Sequence, residues 1–91
     1  MIWTKKENGL TVIGIDKESA SKVKEFVFIK LPKKGDKIKK GQVIISLEAV
    51  KWSGHVESPV AGEVVEINEK AYHNPALINK DPENTWLVKI K

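Results

Sequence analysis

The chain is expected to fold as a mainly β domain: a flattened barrel or sandwich of short antiparallel strands, with a lysine at a hairpin tip and one or two short surface helices. Three observations lead there. From Phe26 onward, short apolar runs are separated by proline- and glycine-bearing turns, the spacing of successive strands. The run Leu47-Glu48-Ala49-Val50-Lys51-Trp52-Ser53-Gly54 carries a hydrophobic strand straight into a lysine at a tight turn. With 91 residues there is room for one modest core and no second lobe, so residues 1–91 read as a single domain.

Taken in order, Ile2-Trp3-Thr4 and Leu10-Thr11-Val12-Ile13-Gly14-Ile15 are two strands joined by Asn8-Gly9, a strong hairpin signal. Asp16 then has the chemistry of an N-cap for a short helix over residues 17–24, with Ala20 and Val23 facing inward. Phe26 to Leu31 is a strand ended by Pro32, and Pro32-Lys33-Lys34-Gly35-Asp36 is a turn. Ile38 is a lone apolar anchor before Gly41, and Val43 to Val50 is the strand that ends at Lys51. His55-Val56-Glu57-Ser58 leads away from the tip into Pro59-Val60-Ala61-Gly62, and Glu63 to Ile67 is a further strand. Residues 68–79 hold a short helical excursion interrupted at Asn74-Pro75, with Leu77 and Ile78 turned to the core. Trp86 to Ile90 closes the fold, with Trp86, Val88 and Ile90 on one face and Leu87, Lys89 and Lys91 on the other.

Composition narrows the chemistry. There is no cysteine, so disulfides, thiolate nucleophiles and sulfur-ligated metals are excluded together. His55 and His73 stand in no metal-ligand pattern, and no phosphate-binding glycine loop is present, so no metal and no catalytic residue is assigned. No apolar run approaches the length that crosses a bilayer, and the start of the chain lacks a signal peptide's apolar stretch; a cytoplasmic protein without membrane contact is expected. The net charge is +4 and every basic residue is lysine, six of them clustered from Lys30 to Lys40. With no arginine and no aromatic residue in that cluster, a solvated loop is favoured over a nucleic-acid surface.

Lys51 is then the residue with a distinctive position. A lysine amine is nucleophilic only when neutral. Once acylated it loses its charge and becomes the root of a flexible arm, to which an acyl chain adds a reach of about 10 Å. Strands on either side would hold that root still while the arm moves. Glu48, three positions earlier, offers a carboxylate for a modifying enzyme to read; a plain surface glutamate is the other reading, and the residues leave both open. Solubility at a turn is the ordinary explanation for Lys51 itself. Trp52 weakens it, because a large apolar ring beside an exposed turn needs a packing or docking purpose. Trp52 and His55 are the candidates for a surface around the arm.

The ordered set of segments resembles the glycine cleavage H-protein family, which has the biotinyl/lipoyl carrier fold, a barrel-sandwich hybrid. It comprises Trp3, Leu10 to Asp16, Phe26 to Asp36, Gly41, Glu48-Ala49-Val50-Lys51, Ser58 to Asn68, Asn74 to Asn79, Asp81-Pro82 and Trp86 to Lys91. The resemblance implies a carrier rather than an enzyme, with lipoic acid joined by an amide to Lys51. It implies that Glu48 helps the lipoate-attaching enzyme to recognise the site. It further implies that the arm takes an aminomethyl group from a pyridoxal-phosphate glycine decarboxylase and passes it to a tetrahydrofolate-dependent aminomethyltransferase. A flavin-dependent dihydrolipoamide dehydrogenase then reoxidises the dithiol. Two departures accompany the match: the chain ends at Lys91 where the family pattern continues into a C-terminal helical segment, and Trp52 and Gly54-His55 alter the surface beside the lysine.

Alternatives remain beside this reading. One is a related lipoyl carrier in sulfur metabolism or lipoyl relay. The other is an unmodified protein-binding module on the same fold, with Lys51 a free amine. A biotin carrier is disfavoured, since Val50 and Trp52 flank Lys51 where methionines would be typical.

Overall fold

The structure, a computed structural model, describes residues 1–91. Asn8 and Gly9 both take positive φ, 50° and 79°, the combination of a type I′ hairpin turn. They join β1 (Ile2–Glu7) to β2 (Leu10–Ile15), in register from Glu7 opposite Leu10 to Ile2 opposite Ile15. The Asp16 carboxylate accepts from the Ser19 N–H at 2.8 Å and starts α1 (Lys17–Lys22). It also meets the Met1 ammonium at 2.9 Å. That ammonium, together with the Ser19 donors, holds the Asp16 carboxyl down at about 2.

The helix is two residues shorter than the sequence suggests. Ala20 and Val23 are buried as expected, but Val23 is already extended as the chain turns into β3 (Phe26–Lys30). Asn79 fixes that entry. Its Nδ2 donates to the carbonyls of Val23 (2.9 Å) and Ala20 (3.3 Å), while its Oδ1 accepts from the Phe26 N–H at 2.8 Å.

After β4 (Lys37–Ile38), β5 (Val43–Ala49), β6 (Trp52–Glu57) and β7 (Gly62–Ile67) come α2 (Glu69–His73), α3 (Ala76–Lys80), a 3-10 turn at Pro82–Asn84 and β8 (Trp86–Ile90). Two antiparallel sheets result: β1-β2-β8-β7-β4 and β3-β5-β6. This is the expected mainly β architecture, with three short helices where one or two were expected. Their inward residues, Ala20, Ala71 and Ile78, share one core cluster with residues of both sheets, including Ile13, Ile29, Leu47 and Val88.

The alternation in β8 puts Leu87 on the same face as Lys89, and Leu87 is nevertheless fully buried. β8 is an interior strand between β2 and β7, and Asn68 ties the helical excursion to it through the carbonyls of Trp86 and Leu87. Leu87 therefore joins the same core cluster as Ile78 and Ala71. Leu77 is only half-buried, and Ile78 alone of that pair is fully enclosed. Lys89 lies across the sheet, its ammonium 3.2 Å from Glu7, 3.6 Å from Glu66 and 4.7 Å from the centre of the Trp86 ring. The bond to Lys89 holds the Glu7 carboxyl below its usual range.

Candidate functional site

β5 and β6 form a hairpin whose last pair is Ala49 opposite Trp52, leaving Val50 and Lys51 as a two-residue tip. Lys51 has φ 66°, one of two non-glycine residues in the chain with positive φ. Val50 has negative φ, so the tip carries the signs of a type II turn, which favours glycine or asparagine at its second central position. A lysine there costs roughly 1–2 kcal/mol of backbone strain. The tip is open: Lys51 is exposed and Val50 is 78% exposed.

What holds the tip lies just below it. The Trp52 ring meets buried Phe26 edge-on, with centroids 5.7 Å apart and planes at 65°. It lies back over Gly54, two residues along on the same face; a Cβ there would come within 2.6 Å of the indole. Phe26 is itself held by the Asn79 side chain. Asn79, Phe26, Trp52 and Gly54 thus make a continuous brace from α3 to the root of the hairpin. Sequence reasoning singled out Trp52 and, as a departure from the family pattern, Gly54, but not the packing that joins them to Phe26 and Asn79. Glycine inside a strand was the available signal at position 54, since it marks a close approach. Nothing in the sequence distinguishes Asn79.

The other sequence-singled residues fall on the outer face of β3-β5-β6. Glu48 is exposed, in register with Phe28 on one side and Ser53 on the other. Phe28 is itself 47% exposed, so the carboxylate sits between an open aromatic ring and a hydroxyl. His55 lies farther down β6 opposite Ser46, exposed, with its Nε2 3.9 Å from a Glu57 oxygen. Trp52 points inward and His55 outward, so the two do not form one patch. Beside the tip is a cleft of about 440 Å³ lined by Lys24, Glu25, Val27, Ala49, Val50 and Lys51. Its apolar side chains can rest against an aliphatic chain rooted at the tip.

The side chains supply no catalytic constellation of their own at this end. No three histidine, aspartate or glutamate residues come together as metal ligands, and His73 stacks edge-on against Tyr72 on α2. No helix is long and apolar enough to cross a membrane. A primary amine on a braced, open turn can hold an acyl group by an amide and present it to solvent. The exposed Lys51 and the half-apolar cleft beside it have room for such a group.

A family model described as glycine cleavage H-protein matches residues 1–91. A probable glycine cleavage system H protein of Thermoplasma volcanium is 42% identical over 89 residues, covering 98% of this chain and 73% of the relative. The glycine cleavage system H protein of Thermotoga maritima is 39% identical over 90 residues, covering 98% and 73%. Among solved structures, a glycine cleavage system H protein from Mycobacterium marinum superposes with a TM-score of 0.89 at 26% identity, over 98% of this chain and 76% of the other.

Proposed function

The chain belongs to the glycine cleavage H-protein family, and from that premise we propose that Lys51 is its lipoyl attachment residue and Glu48 the carboxylate read by the lipoate-attaching enzyme. It is a lipoyl carrier of glycine cleavage and not itself a catalyst. Its partners are the lipoate-attaching enzyme, glycine decarboxylase, aminomethyltransferase and dihydrolipoamide dehydrogenase. Lipoate supplies a redox-active disulfide at the end of a long arm, able to carry the aminomethyl group between enzymes. The reading takes residues 1–91 as one carrier domain and places it in the cytoplasm with its enzymes.

The observation that carries the assignment is the strained, exposed lysine on a braced hairpin tip. A residue chosen for turn solubility alone would be asparagine or glycine at this φ. The chain retains lysine where the backbone disfavours it, which supports a chemical use for the amine. The protein's own contribution is positional. The Trp52–Phe26 contact fixes the root, the open tip lets a ligase and then three enzymes approach, and the half-apolar cleft gives the arm a place to rest. Glu48 is presented on the outer face without an ion-pair partner, available to a ligase approaching along β5.

Lys51→Arg tests this. It keeps charge and approximate size but cannot be acylated, so glycine cleavage by the reconstituted system is expected to be lost while the fold is retained. Full activity in this variant would sink the assignment. Glu48→Gln asks the narrower question, and slowed lipoylation by the ligase is expected.

A further inference from the structure

The lysine cluster repeats one device. Lys33-Lys34-Gly35-Asp36 and Lys39-Lys40-Gly41-Gln42 are two copies of the same turn. In each, the N–H of the fourth residue donates to the carbonyl of the first at 3.0 Å, from Asp36 to Lys33 and from Gln42 to Lys39. In each, a side-chain oxygen of that fourth residue accepts from the N–H of the first, at 2.9 Å for Asp36 and 3.0 Å for Gln42. In each, the third residue is glycine with a large positive φ, 95° and 88°. The first turn is clamped to β7 by bonds from Gly35 N–H to Val64 O and from Val64 N–H to Asp36 O; the second is clamped at the end of β6 by the Gly41–Ser58 and Ser58–Gln42 bonds. Two adjacent lysines are therefore carried on each of two rigid loops, all four exposed.

The charge is concentrated there. Of sixteen lysines and twelve acidic residues, six lysines and one aspartate lie between residues 30 and 42, leaving ten lysines against eleven acids elsewhere. The whole net positive charge belongs to this segment. Two of the acids near it are engaged, Asp36 in its own turn and Glu63 with Lys37 at 3.3 Å; Glu57, opposite Val43, has His55 at 3.9 Å. Lys33, Lys34, Lys39 and Lys40 take part in no ion pair within the chain. The turns also sit at the far end of β5 from Lys51. Nine residues of extended chain separate Gln42 from Lys51, about 30 Å, close to the full 33 Å length of the molecule.

We propose that the twin lysine turns are an electrostatic docking surface for an acidic face on the enzymes that the Lys51 arm serves, an inference that rests on the carrier reading above. A charged patch away from the tip speeds encounter by long-range steering and leaves the arm free to enter the enzyme. Lysine, a hydrated point charge, suits a fast and reversible complex better than arginine's fixed fork. The absence of arginine and of aromatic residues on the two turns argues against a nucleic-acid partner.

The test is the full chain with Lys33→Gln, Lys34→Gln, Lys39→Gln and Lys40→Gln together, which keeps the turns and removes four charges. The lipoylated variant and the parent are compared as substrates of the host's glycine decarboxylase, aminomethyltransferase and dihydrolipoamide dehydrogenase, at low and at high salt. For at least one enzyme, KM for the variant is expected to rise about tenfold at low salt, with kcat changed less than about twofold and the parent's salt dependence largely erased. Unchanged KM and salt response with all three enzymes overturns the proposal. So does a shift of a duplex DNA probe by the parent alone with no change in KM. Intact mass separates the two levels: a lipoylated but salt-insensitive carrier strikes the docking surface only, whereas an unmodified Lys51 in the parent removes the carrier reading and this inference with it.

Discussion

Replacing Lys51 with glycine should make the protein more stable, and replacing it with alanine should not. Both substitutions delete the amine and the stem, so their difference isolates the backbone at φ 66°. Alanine retains the left-handed penalty of about 1–2 kcal/mol, and glycine does not. Glycine's greater freedom in the unfolded chain returns about 0.5–1 kcal/mol in the other direction. The midpoints of the two ranges leave Lys51→Gly about 0.75 kcal/mol more stable than Lys51→Ala. At about 4–8 °C per kcal/mol for a domain of this size, that is a difference of about 4 °C in Tm. The open tip offers no packing to confuse the result, since Val50 is 78% exposed and Lys51 exposed. Thermal and urea unfolding of the two unlipoylated variants, with equal m-values as a check, measures it. A Lys51→Gly protein that unfolds at or below the temperature of Lys51→Ala would falsify the claim that the attachment turn is strained, and with it the argument that lysine is kept there against the backbone's preference.

Three further outcomes follow from the brace and the cap. Asn79→Ala should cost about 2–3 kcal/mol, because the N–H of buried Phe26 loses its acceptor and the Val23 carbonyl loses its donor, while the Ala20 carbonyl keeps the Val23 N–H; chemical denaturation measures it, and a loss under about 0.5 kcal/mol would contradict the role given to Asn79. Gly54→Ala should cost about 1–3 kcal/mol and alter the near-UV circular dichroism, since the new methyl group meets the Trp52 indole and forces the ring off Phe26; an unchanged spectrum and Tm would mean that the ring does not lie there. Stability should fall as pH is lowered from about 4 toward about 2: the folded Asp16 carboxyl titrates at about 2, below its unfolded value, so its contribution is complete above the unfolded pKa and lost on acidification. In Asp16→Asn, which can still cap the helix, that portion of the acid slope should vanish in pH-dependent thermal melts.

Much of this is legible in the sequence alone, because the strongest signals are local. Asn8-Gly9 specifies a turn whose φ values only such residues adopt readily, and Asp16 ahead of Ser19 specifies a helix start. The strand leading into Lys51 is equally direct, since its apolar run stops at the tip. What escaped depends on contacts between distant parts of the chain. Leu87 alternates with Val88 in sequence yet both are buried, because β8 is interior and the helical excursion contributes to the same core. Asn79 looks like any helix-end asparagine until its contacts, 53 residues away at Phe26, are seen. Trp52 and His55 read from the sequence as one surface, although three residues along a strand place side chains on opposite faces. The matched lysine turns were visible as residues; their shared hydrogen bonding was not.

The central claim is that Lys51 carries lipoate. The most direct test is the intact mass of the protein isolated from its native host, followed by peptide mapping across Lys51. The account predicts a lipoyl increment confined to the peptide that contains Lys51. An unmodified Lys51 that also resists lipoate ligase in vitro would contradict it, and would leave a binding module built on a carrier fold.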